Sequence, residues 1–238
     1  MKFFGGATGD GIAGGPRVLR IFCLAALGLS LSGCLDIFQY ITRLDNGADR
    51  HIIKITVTTS LLGMEWELEP EEREEKLKEL PLMEEYSEFY NIINAYTKYD
   101  ATVEEINDAG ELGYLIKMDI LHDEDTVEMI IADDANFMPR YTQDGMIIPL
   151  KNLGDGIEDE QTKGVLFGLG RYHLMISKRC MPRISSAAAL MSRKPIKGLP
   201  PLPVRVFDLG EYYLVNVPLV LFFSNNYRFL MLYSNSTA

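Results

Sequence analysis

Residues 204–234, VRVFDLGEYYLVNVPLVLFFSNNYRFLMLYS, constrain the fold more than any other stretch of this chain. A run this apolar must be removed from water. Glu211, Asn216, Pro218, Asn225, Asn226 and Arg228 interrupt it before it reaches the roughly twenty residues of a membrane-spanning helix. Its β-branched and aromatic residues, punctuated by Asp208-Leu209-Gly210 and Ser224-Asn225-Asn226, read instead as three strands. Strands apolar on both faces are central ones, covered on each side, so a sheet with a substantial core is expected.

The same pattern recurs upstream. Asp36–Leu44 and His51–Thr59 flank Asp45-Asn46-Gly47, whose Asn-Gly pair suits the positive φ of a hairpin turn. Ala101–Ile106, Leu112–Leu121 and Val127–Ala132 read as short strands, with His122-Asp123-Glu124-Asp125 as a hairpin turn. Asp144-Gly145 turns the chain between Tyr141 and Met146, and Val165–Ser177 shows Tyr172, Leu174 and Ile176 in strand alternation. Two segments break the pattern. Residues 65–90 hold eleven Glu against Arg73, Lys76 and Lys78, with Pro70 placed to start a helix and Pro81 to interrupt it. Met83, Tyr86, Phe89, Tyr90, Ile93 and Tyr96 then recur at three- and four-residue steps, the stripe of an amphipathic helix. Ile184–Arg193, ISSAAALMSR, reads as a short helix. Together these predict an α+β fold, a mainly antiparallel twisted sheet with a helical layer on one side.

Near the N-terminus, Arg17 and Arg20 form the positive flank of an apolar run, Val18–Leu31. The run is about the length of the apolar core of a signal peptide and is too short to span a bilayer comfortably. It ends in Leu31-Ser32-Gly33-Cys34, an aliphatic residue, two small residues that fit a narrow peptidase cleft, and a thiol. This end resembles the lipobox of bacterial lipoproteins, and the resemblance covers the first 34 residues. It implies cleavage before Cys34, acylation of that cysteine, and a membrane anchor on the extracytoplasmic side. Residues 1–33 are then the signal peptide and 34–238 a single extracytoplasmic α+β domain. Leu35, in place of an acidic retention residue, leans the anchor towards the outer membrane of a cell that has one. In outline, an anchor cysteine followed at once by a hairpin, then helix and strands, dimly resembles LppM-type lipoproteins, and carries no residue over. Residues 1–16 hold six glycines whose spacing matches no phosphate loop. Translation from Val18 is expected to leave a signal of ordinary length.

Composition narrows function. The net charge of −11 opposes a nucleic-acid partner, because the phosphate backbone repels such a protein. Cys23 leaves with the signal and Cys34 carries lipid, so Cys180 alone remains and no intrachain disulfide is expected. The chain lacks Gly-x-Ser-x-Gly, Ser-x-x-Lys, His-Glu-x-x-His and Cys-x-x-Cys, and no cofactor or metal motif replaces them. His51, His122 and His173 read as structural, Cys180 as a buried thiol, and no enzyme is expected. Asp155, Glu158, Asp159 and Glu160 around Gly156 offer oxygens of the kind calcium takes, without the twelve-residue calcium-loop spacing. Between Glu160 and Asp208 there is no acidic residue, while Lys163, Arg171, Lys178, Arg179, Arg183, Arg193, Lys194, Lys197 and Arg205 are basic. Arg193, Lys194 and Lys197 are candidates for contact with anionic lipid headgroups. The competing expectation is that this basic block docks on the Glu-rich helix. Two functional readings follow, an envelope lipoprotein that binds a lipid or apolar ligand, and an assembly lipoprotein that recruits a protein partner.

Overall fold

A computed structural model of the chain describes residues 35–58, 96, 98–108, 111–151, 153, 168, 170–192, 200–223 and 227–234. They form β1 (Leu35–Arg43), β2 (Asp49–Thr58), β3 (Thr102–Asp108), β4 (Glu111–Ile120), α1 (Glu124–Asp133), β5 (Arg140–Thr142) and β6 (Gly145–Pro149). After these come β7 (Arg171–Ser177), β8 (Ser186–Leu190), β9 (Leu202–Val204), β10 (Val206–Asp208), β11 (Tyr212–Pro218), α2 (Val220–Phe223) and β12 (Phe229–Tyr233). Strands take 54% of these residues and helices 12%, which corrects the α+β expectation: the described chain is a mostly β protein of two sheets. The Glu-rich stretch and most of the apolar stripe that suggested a helical layer, residues 65–95, lie outside the described residues. Among the described residues no helix is long and apolar enough to cross a membrane.

Turn chemistry sets the first hairpin. Gly47 takes φ +89, Asn46 Oδ1 accepts from the Ala48 amide at 3.1 Å, and Leu44 N donates to Ala48 O at 2.8 Å. This closes β1 on β2 with Arg43 opposite Asp49 and Ile41 opposite His51. A slip of one residue would turn every side chain to the other face. In this register Leu35, Ile37, Gln39 and Ile41 of β1 and Asp49, His51, Ile53, Ile55 and Val57 of β2 are all buried.

The larger sheet runs β10-β11-β7-β1-β2-β4-β3. Its one parallel pairing is β1 with β7, and the others are antiparallel. The smaller sheet, β5-β6-β12-β8-β9, is antiparallel throughout. One core joins them: Ile37, Ile53, Leu174 and Val215 from the first sheet cluster with Met146, Ile148, Ala189, Leu230 and Leu232 from the second. As the sequence suggested, β12 is a central strand with both faces covered. Leu230 and Leu232 enter the main core, and Phe229 and Met231 pack with Ile147 in a smaller cluster.

Three local expectations are corrected. Val127–Ala132 is not a strand but lies in α1, and residues 122–125 are not a hairpin turn. The Asp123 side chain accepts from Thr126 N at 2.8 Å, an N-cap, and Glu124 and Asp125 lie at the positive end of the helix dipole. That cap outweighs the strand preference of Val127, Ile130 and Ile131. Ile184–Arg193 is not a helix either: its centre is β8, paired with β12 on one side and β9 on the other. Ladder bonds on both edges override the helix preference of its three alanines.

Close approach marks Gly113 on β4, where a Cβ would lie 1.9 Å from Ile55 O on β2. Replacing Gly113 by Ala forces these paired backbones apart. The Gly113→Ala chain is expected to lose about 2 kcal/mol in a urea unfolding experiment, the usual scale of an overpacked site.

Candidate functional site

A carboxylate sits where a core side chain is expected. Asp49 opens β2 on its buried face and is fully buried. A lone buried carboxylate is costly, so partners must offset its desolvation. Four side chains supply them. Arg43, held opposite by the hairpin register, donates from Nε to Oδ1 at 2.9 Å and from Nη2 to Oδ2 at 3.2 Å. The Tyr141 hydroxyl on β5 donates to Oδ2 at 2.5 Å. His122, in the link from β4 to α1, meets Oδ2 through Nε2 at 2.9 Å. Cys180, in the turn after β7, offers its Sγ to Oδ1 at 3.6 Å. An ionised carboxylate only accepts, so His122 donates to it from an Nε2 proton.

The electrostatics follow from these contacts. Burial alone would raise the Asp49 pKa. The hydrogen bonds from His122, Arg43 and Tyr141, with the Arg43 charge, overcome it and hold the group well below the usual carboxylate range. The bond to Asp49 in turn raises the Arg43 guanidinium. Burial, then the Asp49 charge, pushes the Cys180 thiol up to about 12, so it is neutral and a poor nucleophile. Burial and the bond to Asp49 also raise Tyr141, which stays a phenol. Cys180 and Tyr141 therefore keep their protons beside an ionised Asp49. The cluster's chemical capacity is to orient side chains: the Tyr141 ring, 39% exposed, and the His122 ring meet edge-on at 5.1 Å between centroids. The Tyr141 bond also ties the small sheet to the large one.

A second buried network supports the same end. Gln39 on β1 donates from Nε2 to Phe137 O at 2.7 Å and accepts from the Tyr172 hydroxyl at 2.6 Å. Phe137 has φ +59, a left-handed conformation rarely adopted by a bulky residue, and its amide donates to Pro149 O at 2.9 Å. Asn136 brackets the Lys151 backbone, accepting its N–H at 2.7 Å and donating to its carbonyl at 2.8 Å. The segment between α1 and β5 is thereby fixed against the core.

His51 lies two residues from Asp49 on the same face, fully buried, between Ile41 and Met118. Neither ring nitrogen has a hydrogen-bond partner among the described residues. Burial lowers its pKa to about 4.

Of the residues singled out from sequence, Leu31, Ser32, Gly33 and Cys34 lie outside the described residues, as do Arg193, Lys194 and Lys197 and the acidic cluster Asp155–Glu160. Within the basic block, Lys178 pairs with Asp208 at 2.7 Å and Arg179 with Asp45 at 2.5 Å. The Asp49 centre escaped the sequence reading. Its signal was the alternation 49-51-53-55-57 on β2, which puts Asp and His on an otherwise aliphatic face. No protein-family model, curated protein or solved structure matches this chain.

Asp49→Asn leaves the Arg43 charge without its counterion, and the protein is expected to lose about 3–5 kcal/mol in urea unfolding. Tyr141→Phe removes one charge-assisted bond and is expected to cost about 1–2 kcal/mol. His51 makes a separate prediction. Its folded pKa, about 4, lies below the unfolded value of about 6.5. As pH falls between these values the unfolded chain takes a proton that the native state refuses, so stability falls. The slope approaches 1.4 kcal/mol per pH unit, or about 3 kcal/mol across the window. His51→Leu should flatten that loss between pH 7 and 4.5, with a residue left by His173, whose pKa burial also lowers.

Proposed function

We propose that this chain is an envelope lipoprotein, cut before Cys34, anchored by lipid on that cysteine, and acting by binding rather than by catalysis. The observation that carries this reading is the sequence Leu31-Ser32-Gly33-Cys34 at the end of an apolar run, followed at once by a core strand. β1 starts at Leu35, buried at 0% exposure, and is the fourth of seven strands. One peptide step, about 3.8 Å between Cα atoms, would separate the lipidated residue from the centre of the domain. Such a domain rides directly on the membrane without a tether.

Two further observations favour binding. The Cys180 thiol is neutral and shielded, and the Nε2 of His122 is committed to Asp49. The apolar surplus near the C-terminus, which motivates a lipid ligand, is taken up by packing on both faces of β12. That leaves recruitment of a protein partner as the better-supported mode of binding.

Cys34→Ala tests the anchor. The variant is expected to keep its uncleaved precursor mass and to take up no labelled palmitate, while the native chain is shortened and labelled. A Cys34→Ala chain that is still labelled and shortened would contradict the proposal.

A further inference from the structure

Of the six large hydrophobic side chains exposed among the described residues, Val127 at 37% and Ile131 at 53% lie on α1, and Leu121 at 53% stands two residues before its N-cap. Val127 and Ile131 lie one turn apart on α1, so they share a face. The helix beneath them is firmly held. Asp123 caps its start, Asp134 takes the left-handed C-cap conformation and donates its amide to Ile130 O at 3.3 Å, and Ile130 anchors the helix in the core. Glu124, Asp125 and Glu128 are exposed beside Val127 and Ile131, and the last turn of α1 holds no basic residue. In the chain, Leu121 is followed by His122, which the Asp49 centre holds together with Tyr141. A face whose helix is already fixed loses little entropy when a partner docks on it.

We propose that α1 and Leu121 form a docking face for a basic amphipathic helix of a partner protein. The inference rests on the partner-binding reading above and names its surface. Charge complementarity selects the occupant: an apolar stripe edged by carboxylates matches an apolar stripe edged by Lys or Arg. The same carboxylates oppose an anionic membrane surface. Position opposes it too. Leu35 and Arg43 are the two ends of β1, and eight strand steps put the Asp49 centre about 26 Å along the strand from the anchor. A second copy of this chain, at net charge −11, would bring like charge to the face.

The test uses the full chain, purified from membranes in detergent, with a photoreactive benzophenone residue in place of Ile131 or, as a control, of the exposed Phe207. The probes are a helical Leu/Lys peptide and its Leu/Glu counterpart. The Ile131 position should capture the Leu/Lys peptide and not the Leu/Glu one, and the Phe207 position should capture neither. Changing Glu124→Lys and Glu128→Lys together should weaken capture by about tenfold, the scale of two reversed rim charges. Equal capture at both positions, equal capture of both peptides, no capture, or capture of a second copy of the chain would overturn the proposal. Palmitate label carried from the cells reports on the anchor, and capture of the Leu/Lys peptide at neither position tells against partner binding as a whole, whereas equal capture at both positions tells against this face alone.

Discussion

The structure depends on one buried carboxylate. Asp49 occupies a core-facing position of β2, and taking a bare carboxylate out of water costs several kcal/mol. It is stable there only because Arg43, His122, Tyr141 and Cys180 converge on it. Each comes from a different part of the chain: the end of β1, the entry to α1, the edge strand β5, and the turn after β7. The turn at Asn46-Gly47 makes this possible, because the hairpin it closes sets Arg43 opposite Asp49. A change in that turn would therefore reach the carboxylate, and with it the joint between the two sheets.

That arrangement has a direction. If lipid is carried on Cys34, one end of β1 is held at the membrane and the other carries the Asp49 centre, with α1 beside it. Polar contacts add to the packing: the Asp49 cluster lies at that end, and the Tyr172–Gln39–Phe137 chain and the Asn136 bracket hold the segment between α1 and β5. Buried polar groups of this kind add little net stability, but they discriminate strongly against misplaced neighbours. A binding face benefits from that discrimination, since its side chains must be in place before the partner arrives.

Much of the sheet was legible in the sequence, for local reasons. The first hairpin is written in Asn46-Gly47, the β5–β6 hairpin in Asp144-Gly145, and the central place of β12 in a segment apolar on both faces. What escaped was decided at a distance or by one competing interaction. Val127, Ile130 and Ile131 prefer strands, yet the Asp123 cap starts a helix. Ala187, Ala188 and Ala189 prefer helices, yet two neighbouring strands claim their backbone. The parallel pairing of β1 with β7 joins segments some 130 residues apart, for example Ile37 with Tyr172, and no local pattern announces it. The Asp49 centre is of the same kind: its partners at 43, 122, 141 and 180 are scattered, and the one readable trace is an Asp and a His among the aliphatic residues of β2.

Amide hydrogen exchange, measured on the native chain and on Asp49→Asn, addresses the claim that this carboxylate joins the two sheets and fixes the distal end. Loss of the charge should release the elements it holds and spare those it does not touch. Exchange at Arg140–Thr142 and around Leu121–Asp123 should speed up by more than the drop in global stability explains, while β7 and β11 lose no more protection than that drop. Unchanged exchange at those two sites, or a uniform rise across every strand, would contradict the claim.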